Sequence, residues 1–284
     1  MLKDLTKTLQ RWDFAVLALS VVLINLPYLP DVYVPTHDSM YGFQLFYFFY
    51  NNFFFHGEIA QWMPYDSFGL LSNHEQLAFL TPFNYLAGLI GAVVRFENVL
   101  LLFKLSILFQ QFIFLLGMYL LSRLIFFSRA TTFIVCLASF SCGADLYYQL
   151  YYFFSIFYMF PMAAYFLLMF FKNKQPEYLW LTGITVMFWE TGEVIYHICL
   201  WFFVLTVIFA VLWPRQKDVF KCLFKRSWAN LALFLVFLSL VISFYVLLKD
   251  FVVSVDLRSR DAGGHNSLGM FLTWAGIYDL GSFV

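Results

Sequence analysis

Long runs of apolar residues alternate along the chain with short polar segments. Seven of these runs are long enough to form helices that cross about 30 Å of hydrocarbon. They cover residues 14–33, 99–121, 130–149, 152–171, 178–195, 196–213 and 228–248. None shows the alternation of apolar and polar positions that is typical of a membrane barrel strand. Because backbone groups in lipid must be hydrogen-bonded within the protein, the pattern predicts an all-α polytopic membrane protein with about seven transmembrane helices.

An eighth apolar run, residues 79–94, is borderline, since it is short and contains Pro82 and Asn84. If it does not span, 12 of the 17 basic residues lie on one side of the membrane; if it spans, that bias is lost. Basic residues collect on the cytoplasmic side, so we predict that this run stays at the outer surface. The resulting multi-pass protein of the cell membrane has three parts. They are a cytoplasmic segment 1–13, a seven-span module 14–248 with an exterior loop 34–98, and an exterior or periplasmic segment 249–284.

Composition supports the membrane location. Hydrophobic residues make up 62% of the 284 residues and charged residues only 12%, whereas soluble domains have about 25% charged residues. The formal net charge is zero, so no basic character points to nucleic acid as a partner. The four cysteines form no CxxC pair and therefore suggest neither a disulfide framework nor a zinc site.

The exterior loop contains an aromatic run, YGFQLFYFFYNNFFF, at residues 41–55. Its phenylalanines and tyrosines recur at helical spacing, and aromatic residues favour the depth of the lipid headgroups. Two interpretations remain open: a short helix in the headgroup layer, or a hydrophobic lid packed on the helix bundle. Both place the run at the outer membrane surface.

Four short motifs follow one another after the first predicted span, three in the exterior loop and one at the end of the second span. They are Asp38; Gly57, Trp62 and Pro64; Pro82 and Asn84; and Gly117, Met118, Tyr119 and Arg123. In order and spacing they resemble the YfhO-like membrane proteins of the GT-C glycosyltransferase superfamily. Those proteins have an acidic residue after the first span, a G-x-x-x-x-W-x-P turn, a Pro-Leu/Phe-Asn segment, and a second span that ends in G-M-Y-L-L-x-R. The resemblance covers roughly residues 14–145.

The resemblance implies a seven-span module with juxtamembrane helices in the first exterior loop. It also implies transfer of a sugar from a polyprenyl-phosphate donor to an acceptor outside the membrane. Membrane lipids and that donor are then the expected partners. Such proteins usually continue with more spans and often a soluble exterior domain, so we expect a fragment, a minimal enzyme, or a subunit completed by another chain.

Transfer from a lipid phosphate needs a carboxylate that acts on the acceptor and cations that stabilise the leaving phosphate. Asp38, beside His37, is the candidate base or stabiliser, because it follows the first span and matches the acidic residue of the family. Asp145, at the predicted outer end of the third span, is the candidate second carboxylate, since a charge at that depth must be paired or hydrated. The alternatives are a solvated loop residue and a helix-end charge. Glu58 and Asp66 are interpreted as turn charges.

The basic residues on or near the outer face are candidates for binding the phosphate. Lys104 lies one and a half turns into the second span and can extend outward, and arginine offers forked donors suited to phosphate. The predicted substrate-binding residues are Lys104, Arg95, Arg258, Arg260, Trp62, Glu190 and Glu193. The alternative for the cations is a role as loop charges in the headgroup layer.

Glu190, Glu193 and His197 have the spacing that places residues on one helical face. They could bind a divalent metal or deprotonate an acceptor, but a polar face that lines a cavity is favoured, and no cofactor is predicted. The alternative function for the whole chain is a non-catalytic accessory or assembly subunit of a larger membrane complex. Aromatic surfaces suit lipid and protein partners equally.

Overall fold

The computed structural model describes residues 11–36, 38–57, 62–63, 70–71, 80–126, 128–141, 158–189 and 227–242. These residues are almost entirely helical, which confirms the predicted all-α class. The helices are α1 Arg11–Asn25, α2 Asp38–His56, α3 Pro82–Val93, α4 Val99–Ile125, α5 Arg129–Ser141, α6 Phe160–Asn173, α7 Pro176–Trp189 and α8 Trp228–Ile242. The described strands are two residues each, β1 Trp62–Met63 and β2 Leu70–Leu71, and they pair antiparallel with Trp62 opposite Leu71.

The chain divides into two compact units, Met1–Gly192 and Glu193–Val284. The first unit contains α1 to α7. In the second unit, α8 exposes much of its apolar surface, and Trp228 is 88% exposed.

Helix α4 is the central element of the first unit. It packs against α1, α2, α3, α5 and α6, and its 27 residues extend about 40 Å. Among the described residues, it is the one helix long and apolar enough, by length and composition, to cross a membrane. The seven-span topology and its orientation stay predictions.

The first predicted span, residues 14–33, is interrupted earlier than expected. Helix α1 ends at Asn25, and a 3₁₀ turn follows over Leu26–Tyr28. Pro27 lies in that turn; it has no N–H to donate, and its ring clashes with the helical carbonyl four residues before it. The chain therefore leaves the helix early and approaches the start of α4 through Leu29 and Pro30.

The borderline run 79–94 forms α3, whose 12 residues extend about 18 Å, less than the roughly 30 Å of a hydrocarbon core. A capping box starts the helix: Asn84 N donates to Thr81 Oγ1 (3.4 Å), and Thr81 N donates to Asn84 Oδ1 (2.7 Å). Pro82 occupies the first turn, where a missing N–H has no effect. The Pro-Phe-Asn motif is therefore a helix-start signal. Asn84 also donates to Ser106 Oγ of α4 (2.7 Å).

The aromatic run 41–55 forms α2, as its spacing predicted. Helix α2 buries Phe46, Phe49 and Tyr50 against α3 and α4. This contact is close because the facing residues of α3 are small: a Cβ on Gly88 would lie 2.7 Å from the Phe49 ring. Such packing is what the lid interpretation requires, while the depth of α2 in a membrane stays a prediction.

Candidate functional site

Three polar side chains meet where α4 begins, and we call Asp31, Asn98 and Lys104 the Lys104 cluster. Asn98 caps α4: its Oδ1 accepts from Leu101 N (2.9 Å), and its Nδ2 donates to Asp31 Oδ1 (2.9 Å). Lys104 interacts electrostatically with Asp31. The cluster thus joins the segment after α1 to the first turns of α4.

The Lys104 side chain is completely buried. Its ammonium donates to the carbonyl oxygens of Pro30 (2.8 Å) and Leu29 (3.4 Å). A buried ammonium needs such acceptors, because burying a charge without partners is costly. Lys104 therefore extends toward the start of α4, and two of its protons bind main-chain carbonyls. Its role as a phosphate ligand stays a prediction.

Asp38 is the first residue of α2. It precedes Phe43 by five residues, about 7.5 Å along the helix axis. The Phe43 ring packs on Phe103 of α4, with ring centroids 5.6 Å apart, and Phe103 directly precedes Lys104. Helix α2, which begins at Asp38, therefore contacts α4 at the residue before Lys104.

Arg95 lies at the end of α3, three residues before Asn98, and it is exposed. Helix α3 ends in a Schellman motif, in which Phe96 N donates to Gly91 O (2.8 Å) and Arg95 N donates to Ala92 O (3.2 Å). The Tyr50 hydroxyl donates to Phe96 O (2.6 Å). Burial raises the pKa of this hydroxyl, so it stays protonated and fixes the residue that follows Arg95.

The structure describes one other predicted site residue. Trp62 lies in β1, opposite Leu71. The remaining ones lie outside the described residues: His37, Asp145, Glu190, Glu193, Arg258 and Arg260, together with Glu58, Asp66 and His197. Within the part of the chain that the structure describes, no group of three or more His, Cys, Asp or Glu side chains is placed to hold a metal ion.

A second polar cluster, which the sequence reasoning missed, lies near the opposite end of α4. We call Asp13, Tyr119 and Arg129 the Asp13 cluster. Asp13 is 1% exposed, accepts from the Tyr119 hydroxyl (2.6 Å), and forms a salt bridge with Arg129. The Arg129 guanidinium also lies 5.8 Å from the centre of the Phe133 ring. The start of α1, the last turns of α4 and the first residue of α5 meet here.

The signal for the Asp13 cluster was present in the sequence. Asp13 directly precedes one long apolar run, and Arg129 directly precedes another. Charges at such boundaries need partners. In the predicted topology, Asp13 lies in the cytoplasmic segment 1–13 and Arg129 lies between two spans, so the pattern does not indicate that the two residues pair.

The structure gives physical roles to two residues of the G-M-Y-L-L-x-R motif. Tyr119 contacts Asp13, as described. Gly117 faces the backbone of α6: a Cβ at this position would lie 2.8 Å from Met162 N and 3.2 Å from Pro161 Cβ. The motif therefore combines a close helix crossing with a buried hydrogen bond.

A third polar contact joins α1 and α4 between the two clusters. Asn25 Nδ2 donates to Gln111 Oε1 (2.5 Å), and both side chains are completely buried. The three contacts fix the register of α1 on α4.

Asn98→Ala is expected to lower the free energy of unfolding by about 1 kcal/mol, because it removes the cap of α4 and the donor to Asp31. Chemical unfolding of the purified protein in mild detergent measures this loss. Asn98→Ser is the control: its hydroxyl still caps the helix, so most of the stability should remain. If both variants are as stable as the wild type, the cluster does not hold the start of α4.

Comparisons with known proteins add no assignment to these geometric observations. No protein-family model, no curated protein and no solved structure matches this chain.

Proposed function

We propose that this chain is a polytopic membrane protein that acts as a GT-C-type glycosyltransferase. It moves a sugar from a polyprenyl-phosphate donor to an acceptor on the exterior face. The observation that carries the proposal is the contact of α2, which begins at Asp38, with Phe103 of α4, the residue before Lys104. A carboxylate and a cation beside a long apolar helix are the groups that transfer from a lipid phosphate requires.

In this proposal, Asp38 accepts the proton of the acceptor hydroxyl as the hydroxyl oxygen attacks the anomeric carbon of the sugar. The bond between that carbon and the phosphate oxygen breaks, and the phosphate leaves with the bonding electrons. Asp145 is the second carboxylate, and Lys104, Arg258 and Arg260 stabilise the charge on the leaving phosphate. Exposed apolar side chains of α4, including Leu105 and Phe109, contact the polyprenyl tail.

Asp38→Asn is expected to lower the rate of sugar transfer at least about 100-fold, because the amide cannot accept the proton. The measurement uses the full chain in liposomes, radiolabelled polyprenyl-phosphate sugars, and a panel of acceptors. Glu97→Gln is the matched control, since it removes an exposed carboxylate near the start of α4 and should leave the rate unchanged. Equal rates for the Asp38 variant and the wild type would contradict the assigned role, and no transfer from any donor would contradict the function.

The accessory-subunit alternative is favoured by one observation. Helix α8 exposes large apolar side chains, among them Trp228, Leu235 and Ile242, and such a surface suits a partner helix as well as lipid. Photo-crosslinkers at these positions separate the two cases: lipid adducts alone count against a partner subunit.

A further inference from the structure

Helix α3 exposes an apolar face, whereas a helix of a water-soluble protein usually buries its apolar face and exposes polar residues. Its buried residues are polar or small: Asn84, Gly88 and Gly91. Its outward, exposed face carries the large apolar side chains of Leu86, Ile90 and Val93, and the exposed Val94 follows. Tyr85 and Leu89 pack partly buried against the core. The outward face therefore needs an apolar environment that α2 and α4 do not supply.

The outward face of α3 continues onto the central helix. The Phe83 ring, in the first turn of α3, packs edge-on against Phe109 of α4, with centroids 4.9 Å apart. Phe109 and Leu105 are both exposed, and α4 is the helix long enough to cross a membrane. One apolar surface thus extends from the long helix onto a helix too short to span.

A strained arginine ends this surface. Arg95 has φ 54°, a left-handed conformation in which the Cβ of an L-residue crowds the backbone. Glycine is the usual residue at this position of a Schellman motif. Among the described residues, no acidic side chain forms a salt bridge with Arg95. Stability alone therefore does not explain an arginine here, whereas binding an anion does.

We propose that α3 lies on the outer surface of the lipid bilayer, with Leu86, Ile90 and Val93 in the hydrocarbon and Arg95 bound to the phosphate of a lipid headgroup. The arrangement suits this occupant because phosphates lie where the hydrocarbon ends, and Arg95 follows directly after the last apolar residues of α3. The inference rests on the proposed membrane location but not on sugar transfer. It assigns Arg95 to the bilayer rather than to the donor.

The decisive variant is Arg95→Gly, which should change stability and lipid binding in opposite directions. Relief of the left-handed strain should raise the midpoint of thermal unfolding in detergent by about 2–4 °C. Loss of the guanidinium should weaken the apparent affinity for phosphatidylglycerol, measured by native mass spectrometry, about fivefold. Arg95→Lys keeps the positive charge and should keep most of that affinity.

Lys174 supplies a matched control. Among the described residues other than glycine, Lys174 is the second one with a left-handed φ of 54°, and it also follows a helix. Its ammonium, however, lies over the rings of Phe170 and Phe171. Lys174→Gly should leave the affinity for phosphatidylglycerol unchanged. An equal loss of affinity in both glycine variants would overturn the proposal, because binding would then depend on any exposed cation.

Adding inorganic phosphate or polyprenyl phosphate to the same binding experiment identifies the kind of phosphate that Arg95 binds. Inorganic phosphate should not displace phosphatidylglycerol from the wild type; displacement would mean a site for a soluble anion and would overturn the proposal. In the Arg95→Gly variant, the affinity for polyprenyl phosphate should fall by no more than the affinity for phosphatidylglycerol. A loss confined to polyprenyl phosphate would assign Arg95 to the donor site and would also overturn it. The Asp38 assay of sugar transfer is independent of each result.

Discussion

Asp13→Ala is expected to lower the free energy of unfolding by about 3 kcal/mol. The substitution removes the buried acceptor of the Tyr119 hydroxyl and the carboxylate that pairs with Arg129. Breaking a buried pair by removing one partner costs about 3–5 kcal/mol; since Arg129 is 42% exposed and water can hydrate it, the lower end applies. Titration from mild detergent into a denaturing one, followed by circular dichroism, measures the loss.

Asp31→Ala is the control for Asp13→Ala. Asp31 is exposed and accepts from Asn98, so its removal should cost no more than about 1 kcal/mol. Tyr119→Phe removes only the hydroxyl and should give a loss between those of the two aspartate variants. If Asp13→Ala costs no more than Asp31→Ala, the Asp13 cluster does not hold α1 to α4 and α5.

Gly117→Ala is the second substitution with a large expected effect. A glycine-to-alanine change inside a helix normally stabilises it by up to about 1 kcal/mol. Here we expect a loss of about 1–3 kcal/mol, because the added methyl group would contact the Met162 backbone, and α4 and α6 would have to separate. The same detergent titration measures this loss.

Gly91→Ala is the comparator for Gly117→Ala. The atom nearest to its added methyl group belongs to the Leu102 side chain, which can rotate away without moving the backbone. The loss should therefore be smaller than at Gly117. The reverse order would show that the crossing of α4 and α6 is looser than its geometry indicates.

The helical class could be predicted from the chain because apolar runs are local patterns. The start of α4 at Val99 was also predicted, since Glu97 and Asn98 interrupt the apolar pattern just before it. The predicted span ends at residue 121, because Ser122 and Arg123 interrupt the apolar pattern, whereas α4 continues to Ile125. A polar side chain does not end a helix, and Arg123 is intermediate in exposure within the last turn of α4.

The partners of the polar side chains could not be predicted, since each lies far away along the chain. The depth of Lys104 follows from its position in an apolar run, but its acceptors, Leu29 and Pro30, are 75 and 74 residues away. Asp13 finds Tyr119 at 106 residues and Arg129 at 116. The position of a polar side chain in an apolar run indicates that it needs a partner, but the identity of the partner depends on how the helices pack.

These separations have a consequence for synthesis of the chain. Helix α1 is translated before α4, and Lys104, Gln111 and Tyr119 of α4 follow their partners in α1 and in the segment after it by 74 to 106 residues. Arg129, which completes the Asp13 cluster, comes later still. The first helix can therefore dock in its final position only after the ribosome has released the whole of α4 and the start of α5. A ribosome stalled before residue 129 would carry α1 without its final anchor.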